Sequence, residues 1–228
     1  GEIFIGCAGG VCNYAEFKHV CTNISGDMFY MKVDINGLTG GHSGDDISKG
    51  RANANKLLAR FLLKVAQKYE FYLCDISGGS LHNAIPRDAS AVFAVQNSDK
   101  ESVRVDFNIF AAEVQDEFSA TEPDMRFTLQ STDPVKRVID PVVAKNLLCS
   151  LHAVFNGVFA MSQDVPGLVE TSSNLASVKR TSENAITVTT SQRSSIESAR
   201  DNVSSAVRTA FELGGATVTT KGQYPGWK

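Results

Sequence analysis

The sequence predicts an α+β protein made of two units with the same element order, β-α-β-β-α-β, each an antiparallel sheet with helices packed on one face. Three observations carry that prediction. Between residues 29 and 131 the apolar positions switch from a period of two to helical spacing and back, in that order. A comparable succession returns between residues 140 and 220. Helix-start signals stand where helical spacing begins, at Ser98, Asp140 and Ser194.

In the first unit Phe29, Met31, Val33 and Ile35 alternate with Tyr30, Lys32 and Asp34, the pattern of a half-buried strand. From about Gly50 to Tyr69 the apolar set becomes Ala54, Leu57, Leu58, Phe61, Leu62, Val65 and Tyr69, one side of a helix. Strands are expected at residues 71–77 and 90–96. Ser98 with Glu101 forms a capping-box pattern, and Val103, Phe107, Phe110, Val114 and Phe118 then recur at helical spacing. Residues 125–131 form the last strand of the unit. In the second unit Asp140 and Pro141 open a helix through Val143, Leu147, Leu151 and Phe155, with Gly157 suited to the position after its end. Strands are expected at 157–161, 168–180 and 185–191. Ser194 with Glu197 then starts a helix through Ile196, Ala199, Val203, Ala206, Val207 and Ala210, ended by Gly214, and 216–220 closes the sheet. The order is that of a ferredoxin-like sandwich repeated twice. The units meet near residues 120 to 135, which divides the chain into 1–131 and 132–228.

Composition narrows the function classes. The 228 residues carry 22 Lys+Arg against 25 Asp+Glu, a formal net charge of −3, so bulk charge does not suit a nucleic-acid binder. With 43% hydrophobic and 21% charged residues the chain can bury a core. The longest apolar candidate for a membrane span, near Leu57 to Val65, is broken by Arg60 and Lys64, which excludes a transmembrane reading. The five cysteines, Cys7, Cys12, Cys21, Cys74 and Cys149, are odd in number and form no C-x-x-C pair. That favours reduced thiols and a cytoplasmic protein, as does an N-terminus without a basic and apolar leader.

Three loops hold the candidate chemistry. Residues 37–46 place four glycines around His42 between a strand and a helix, where backbone and imidazole can approach a ligand closely. The loop is neither a dinucleotide fingerprint nor a P-loop, and a turn with a solvent-facing histidine is the alternative. Residues 78–87 join two strands with more glycine and polar side chains than a hairpin needs. Asn83 can donate and accept toward a peptide-like group there, or simply occupy a turn. Residues 191–195 lie where a strand enters a helix, so Arg193 and the free N–H groups of the helix start could together receive a carboxylate; otherwise Arg193 is a surface residue and Ser194 a cap. The neighbouring pair Asp45 and Asp46 is expected to favour the following helix start.

Missing patterns bear on function equally. H-E-x-x-H and G-x-S-x-G do not occur, and His19, His42, His82 and His152 fall on separate elements. Cys7 and Cys12 lack the second pair that a zinc site requires. A serine triad from Ser43, His42 and Asp46 fails because neighbours on one loop seldom face each other in the required geometry.

Taken together, residues 6–10, 37–47, 53–60, 79–87, 166–175 and 191–195 resemble the aminoacyl-histidine dipeptidases, bacterial carnosinase-like enzymes among the zinc metalloexopeptidases. The resemblance spans essentially the whole chain but only part of such an enzyme. It implies a catalytic domain with two zinc ions held by His, Asp and Glu, a Glu as general base, and a lid domain inserted within it. This chain resembles the lid alone, from Gly1-Glu2-Ile3 to Tyr224-Pro225-Gly226-Trp227, and has no counterpart of the metal ligands or the base. The resemblance therefore implies that the full-length protein is a metallodipeptidase acting on dipeptides such as β-alanyl-histidine, and that this fragment by itself neither binds zinc nor hydrolyses peptides.

The resemblance also assigns roles. His42 matches a lid histidine that stabilises the oxyanion formed when zinc-activated water attacks the peptide carbonyl, and donors of this kind contribute about 3 kcal/mol to a transition state. Asn83 and Arg193 match positions that hold the substrate backbone and its free C-terminal carboxylate, with lid closure completing the site. Thr171, Ser173 and Asn174 lie in a matching stretch without an assigned role. The implied partners are a dipeptide, the protein's own catalytic domain and a second copy in a homodimer, joined through an exposed strand edge or a helix face. A stand-alone ferredoxin-like binding or oligomerisation module, without enzymatic activity, is the competing expectation. A complete serine or cysteine hydrolase is a third.

Overall fold

The computed structural model describes residues 7–135 and 137–227; Gly1-Glu2-Ile3 and Gly6 lie outside them. The elements run β1 (Gly9–Lys18), β2 (Cys21–Thr22), β3 (Met28–Asn36), β4 (Gly41–His42), α1 (Ala54–Lys68), β5 (Phe71–Gly78), β6 (Ala84–Ile85), β7 (Ala89–Gln96), α2 (Lys100–Glu117), β8 (Arg126–Ser131), β9 (Val138–Ile139), α3 (Pro141–Ala153), β10 (Gly157–Met161), β11 (Val169–Ser182), β12 (Ala185–Ser194), α4 (Glu197–Leu213) and β13 (Thr217–Tyr224). This is the predicted α+β class, with four α-helices and antiparallel pairing among the described residues.

Among the described residues nine strands join into one sheet, not two, in the order β13-β1-β12-β11-β5-β7-β3-β8 with β10 also pairing β11, while β2 with β9 and β4 with β6 form separate two-stranded ribbons. Two ferredoxin-like orders lie within it. The first is β5-β7-β3-β8, drawn from β3-α1-β5-β7-α2-β8. The second is β11-β12-β1-β13, drawn from β1-α3-β11-β12-α4-β13. They meet where Val178 of β11 stands opposite Gly78 of β5.

Strand β1 therefore pairs with β12 and β13, so a boundary at 131/132 leaves the first strand of the second unit on the wrong side. The first unit is inserted between β1 and α3. Sequence patterning misses β1 because its inward line, Val11, Asn13, Ala15 and Phe17, includes a polar residue. Asn13 is 0% exposed, and its amide donates to Gln192 Oε1 at 3.0 Å, Ser204 Oγ at 3.0 Å and Ser204 O at 3.2 Å, while Thr220 Oγ1 donates to its Oδ1 at 2.6 Å. A buried amide satisfied this fully substitutes for an apolar side chain in the strand pattern.

Helices α1 and α2 bury the stripes their spacing implies, whereas Phe155, beyond the end of α3, and Ile196 and Ala206 at α4 are exposed. Leu57, Leu58, Phe61, Leu62 and Val65 of α1, and Val103, Phe107, Phe110 and Val114 of α2, pack on Met31, Val33 and Ile35 of β3 and on Phe93 of β7. Phe61 lies 5.4 Å from Phe107 and 5.3 Å from Phe110, ring centre to ring centre. On the other face Tyr30, Cys74 and Ala94 are covered by Val138 of the β2–β9 ribbon.

Helix starts differ from expectation in two places. A 3-10 turn over Asn97–Asp99 precedes α2 without a side-chain cap, and Asn97 N is bound to Asp27 O at 2.8 Å. Ser194 ends β12, while α4 begins after Ile196. Asp140 does cap α3, accepting from the N–H groups of Val142 and Val143. That helix closes at Val154, so Gly157 opens β10 instead of ending α3.

Candidate functional site

The long segment between β3 and α1 carries His42 and is held at both ends by one carboxylate. Buried Glu122 accepts from Thr39 N at 2.6 Å and from Ala52 N at 2.8 Å. Within the segment Asp46 accepts from His42 N at 2.8 Å and pairs with Lys49 at 2.7 Å and Arg51 at 3.2 Å. Arg51 also donates to Gly40 O. A side chain at Gly41, whose φ is +134°, would run into Asp46 and Arg51, so the brace itself demands a glycine there. The hydrogen bond from Lys49, followed by that from His42 N, holds the Asp46 carboxyl below its ordinary range. Asp46 is thus a brace for the loop. It does not sit at the start of α1, where Asn53 is the cap, accepting from Asn55 N and Lys56 N.

This brace presents His42 on the short ribbon β4–β6, where it stands opposite Ala84. Ser43 N donates to Asn83 O at 2.8 Å, so the glycine loop and the Asn83 loop are joined beside the histidine. The Asn83 loop is anchored in turn by Asn174, whose amide donates to Ala84 O at 2.8 Å. Asn53 extends the same network to Leu175 O at 2.9 Å and Asn156 Oδ1 at 3.0 Å. Asn174 therefore ties β11 to the loop. Thr171 and Ser173 make similar links within the sheet, to Ser194 Oγ at 2.8 Å and from Gln192 Nε2 at 3.0 Å.

Arg193 arrives from the other half of the sheet. It lies in β12 between Gly10 and Ser172. Ser194 Oγ already accepts from Ile196 N at 3.0 Å, and Glu170 O accepts from Ser195 N at 3.1 Å. The guanidinium nevertheless reaches the His42 loop. A methyl group built on Gly44 would lie 3.1 Å from Cε1 of His42 and 3.6 Å from Nη1 of Arg193. The imidazole and the guanidinium thus flank one glycine, while Asn83 enters through its backbone bond to Ser43.

The surroundings of His42 favour a donor at Nε2. Asp45 N donates to Nδ1 at 3.4 Å, which places the proton of a neutral ring on Nε2. The Asp45 carboxylate lies 3.1 Å from Nδ1 and suits the protonated ring, which also carries a proton on Nε2. Arg193 donates from Nη1 to the Tyr224 hydroxyl at 3.3 Å, and its Nε has no partner among the described residues. A cavity of about 130 Å³ adjoins it, lined by Cys12, Tyr14, His82, Ser191 and Tyr224. A larger one of about 400 Å³, between Asp34, Ser77, Asp88 and Lys179, contains none of the three predicted residues. Such a grouping of a guanidinium, an imidazole and a polar loop can receive an anion and polarise a neighbouring carbonyl.

No three His, Cys, Asp or Glu side chains gather to hold a metal ion among the described residues, so this chain does not fit the zinc pair that the resemblance implies. Glu122, the bracing by Asp46, and Tyr224 escape sequence reasoning. Each acts through contacts made only after folding, and no short motif marks them.

Comparison with known proteins agrees with this architecture. Residues 31–122 match the family described as the peptidase dimerisation domain, M20_dimer. The cytosol non-specific dipeptidase of Escherichia coli (strain K12) is 35% identical over 229 residues, covering 100% of this chain and 47% of that protein. The crystal structure of aminoacylhistidine dipeptidase from Vibrio alginolyticus superposes with a TM-score of 0.95 at 36% identity, over 99% of this chain and 46% of that one. The chain thus spans just under half the length of either relative. Residues 31–122 thus correspond to an M20 peptidase dimerisation domain, and the chain as a whole is similar to just under half of each of these longer relatives.

Proposed function

We propose that this chain is the substrate-clamping and dimer-forming lid of a cytoplasmic, zinc-dependent dipeptidase whose catalytic domain lies in sequence outside it. The observation that carries this reading is the convergence of His42 and Arg193 on Gly44 from distant parts of the chain, with Asn83 joined to the same loop. Arg193 receives the C-terminal carboxylate of the dipeptide, because a guanidinium binds a carboxylate with a charge-assisted fork. Asn83 holds the peptide backbone through its amide. His42 donates from Nε2 to the scissile carbonyl oxygen as that oxygen gains negative charge, and a donor aimed in this way contributes about 3–4 kcal/mol. Closure of the lid over the substrate excludes water and brings these groups to the reacting bond.

The substrate class is a dipeptide with a free carboxylate, of the Xaa-His kind exemplified by β-alanyl-histidine. The names of the two relatives support a dipeptidase, and the word cytosol in one of them supports the compartment. The two zinc ions would be held by donors outside this chain, which by itself would be inactive. The dimerisation-family match over β3 to α2 supports a homodimer. The outer strands β8 and β13, together with β10, which pairs only β11 among the described residues, are edges open to pairing, and a helix face is the alternative contact.

The test is His42→Ala in the full-length protein. A fall in kcat on the order of 100-fold, with KM little changed and the fold and dimer intact by melting and light scattering, is the expected result. An unchanged kcat in a folded dimer refutes the role of His42.

A further inference from the structure

We propose that Tyr224 is a positioning residue for Arg193, fixing the guanidinium beside His42 and adding a hydroxyl donor to the edge that receives an anion. The proposal rests on the reading of Arg193 as the carboxylate receiver and names a second residue in that function. Its ground is a chain of contacts reaching from a buried helix residue to the candidate site. Arg200 of α4 is 2% exposed, and its Nη1 donates to Tyr224 O at 2.8 Å. Its Nε and Nη2 are occupied by Asp201 Oδ1 at 2.9 and 2.8 Å. The backbone of Tyr224 is therefore pinned to α4 at the end of an edge strand, where a free terminus would otherwise fray.

The ring is seated by a glycine. Tyr224 stands opposite Gly10 of β1, and the pairing slips between Gly10 and Cys12, which turns the end of β13. A methyl group on Gly10 would come within 2.6 Å of the ring carbons Cε1 and Cζ, so the hydroxyl end of the ring occupies a position that no side chain can share. From this seat the hydroxyl accepts from Arg193 Nη1 at 3.3 Å. Its own proton meets no acceptor among the described residues. A hydroxyl that accepts from a guanidinium has its proton left for a ligand, here a carboxylate oxygen held by the same guanidinium. Arginine has several flexible torsions, and a fixed partner removes part of the ordering that binding would otherwise require.

The experiment uses the full-length protein and measures KM and kcat for a dipeptide, together with the inhibition constant of the same dipeptide capped as a C-terminal amide, which lacks the charge. Tyr224→Phe is expected to raise KM about fivefold, the size of one hydrogen bond, with kcat close to the parent and binding of the amide unchanged. Gly10→Ala keeps the hydroxyl but displaces the ring and is expected to give the same pattern, with thermal melting reporting the fold of both variants. Arg193→Ala sets the scale with a larger rise in KM. If Tyr224→Phe leaves KM unchanged while Arg193→Ala raises it, the positioning role is overturned and the carboxylate reading stands. If Arg193→Ala leaves KM unchanged, that reading falls and the positioning role with it. Equal weakening of free and amidated dipeptides by Tyr224→Phe also overturns the proposal, because it marks a general loosening of the sheet.

Discussion

Glu122→Ala removes the carboxylate that closes both ends of the His42 loop, and the structure sets the size of the effect. Ala52 is 2% exposed, so its N–H, now bound to Glu122 at 2.8 Å, is left unpaired away from water at a cost of about 1–3 kcal/mol. Thr39 is exposed, so its N–H, bound at 2.6 Å, returns to water and loses only the net value of a charge-assisted bond, about 1 kcal/mol. The expected destabilisation is the sum, about 2–4 kcal/mol, seen as a lower urea midpoint with an unchanged slope. Amide exchange at Ala52 should accelerate with it. Glu122→Gln keeps one acceptor and should fall between the two. A loss below about 0.5 kcal/mol, the range of ordinary surface substitutions, together with unchanged protection at Ala52, would show that the loop is held by other contacts.

Other expectations follow from the same contacts. The folded pKa of Asp46 lies below its unfolded value, so its contribution is present above the ordinary carboxylate range and lost as pH falls through the folded value. Asp46→Asn should flatten the acid limb of a stability-versus-pH curve, and an unaltered limb counts against the brace. Lys56 donates to Leu151 O, His152 O and Val154 O, and burial lowers its pKa from 10.5 to about 8. The folded chain therefore sheds this proton first, and stability should rise with pH between about 8 and 10.5. The urea midpoint of Lys56→Met should lack that rise, and its persistence assigns the slope to another group. Asn13→Ala strands buried Gln192 on β12 and Ser204 on α4, while exposed Thr220 on β13 returns to water, and should cost about 2–4 kcal/mol in urea unfolding; a loss below about 1 kcal/mol contradicts the network. Burial raises the Cys74 thiol to about 12, so iodoacetamide at mild alkaline pH should label exposed Cys7 and Cys149 and spare Cys74 in the folded chain. Rapid labelling of Cys74 contradicts its buried position.

Elements with one apolar face were legible in the sequence. The alternation of Met31, Val33 and Ile35, the α1 stripe from Leu57 to Val65, and the Asp140-Pro141 start of α3 all declare themselves within a few residues, because burial on one face imposes the period. Where the interior is polar the signal fades. Strand β1 hides behind Asn13; β11, though expected as a strand, buries Thr171, Ser172, Ser173 and Asn174 in succession, with Thr171, Ser173 and Asn174 bonded to groups on other strands. Ser98 and Ser194 show how a local capping pattern yields to tertiary pairing: the first falls in a 3-10 turn, the second at the end of a strand. At the candidate site the glycine-rich setting of His42 was visible, since positive φ at Gly37, Gly40 and Gly41 needs that residue type. Glu122, Arg200 and Tyr224 left no such trace. Each acts through a side chain whose partner lies far along the chain, a relation that short spacing rules do not encode.

The most direct measurement is the affinity of the full-length protein for two ligands, a non-hydrolysable dipeptide mimic with a free carboxylate and a phosphinic dipeptide analogue whose tetrahedral centre imitates the attacked carbonyl. With an imidazole and a guanidinium serving one bound peptide, Arg193→Ala weakens both ligands alike, whereas His42→Ala weakens the phosphinic analogue on the order of 100-fold and barely alters the mimic. Parent-like affinity of both variants for the phosphinic analogue would place the two side chains outside the substrate site.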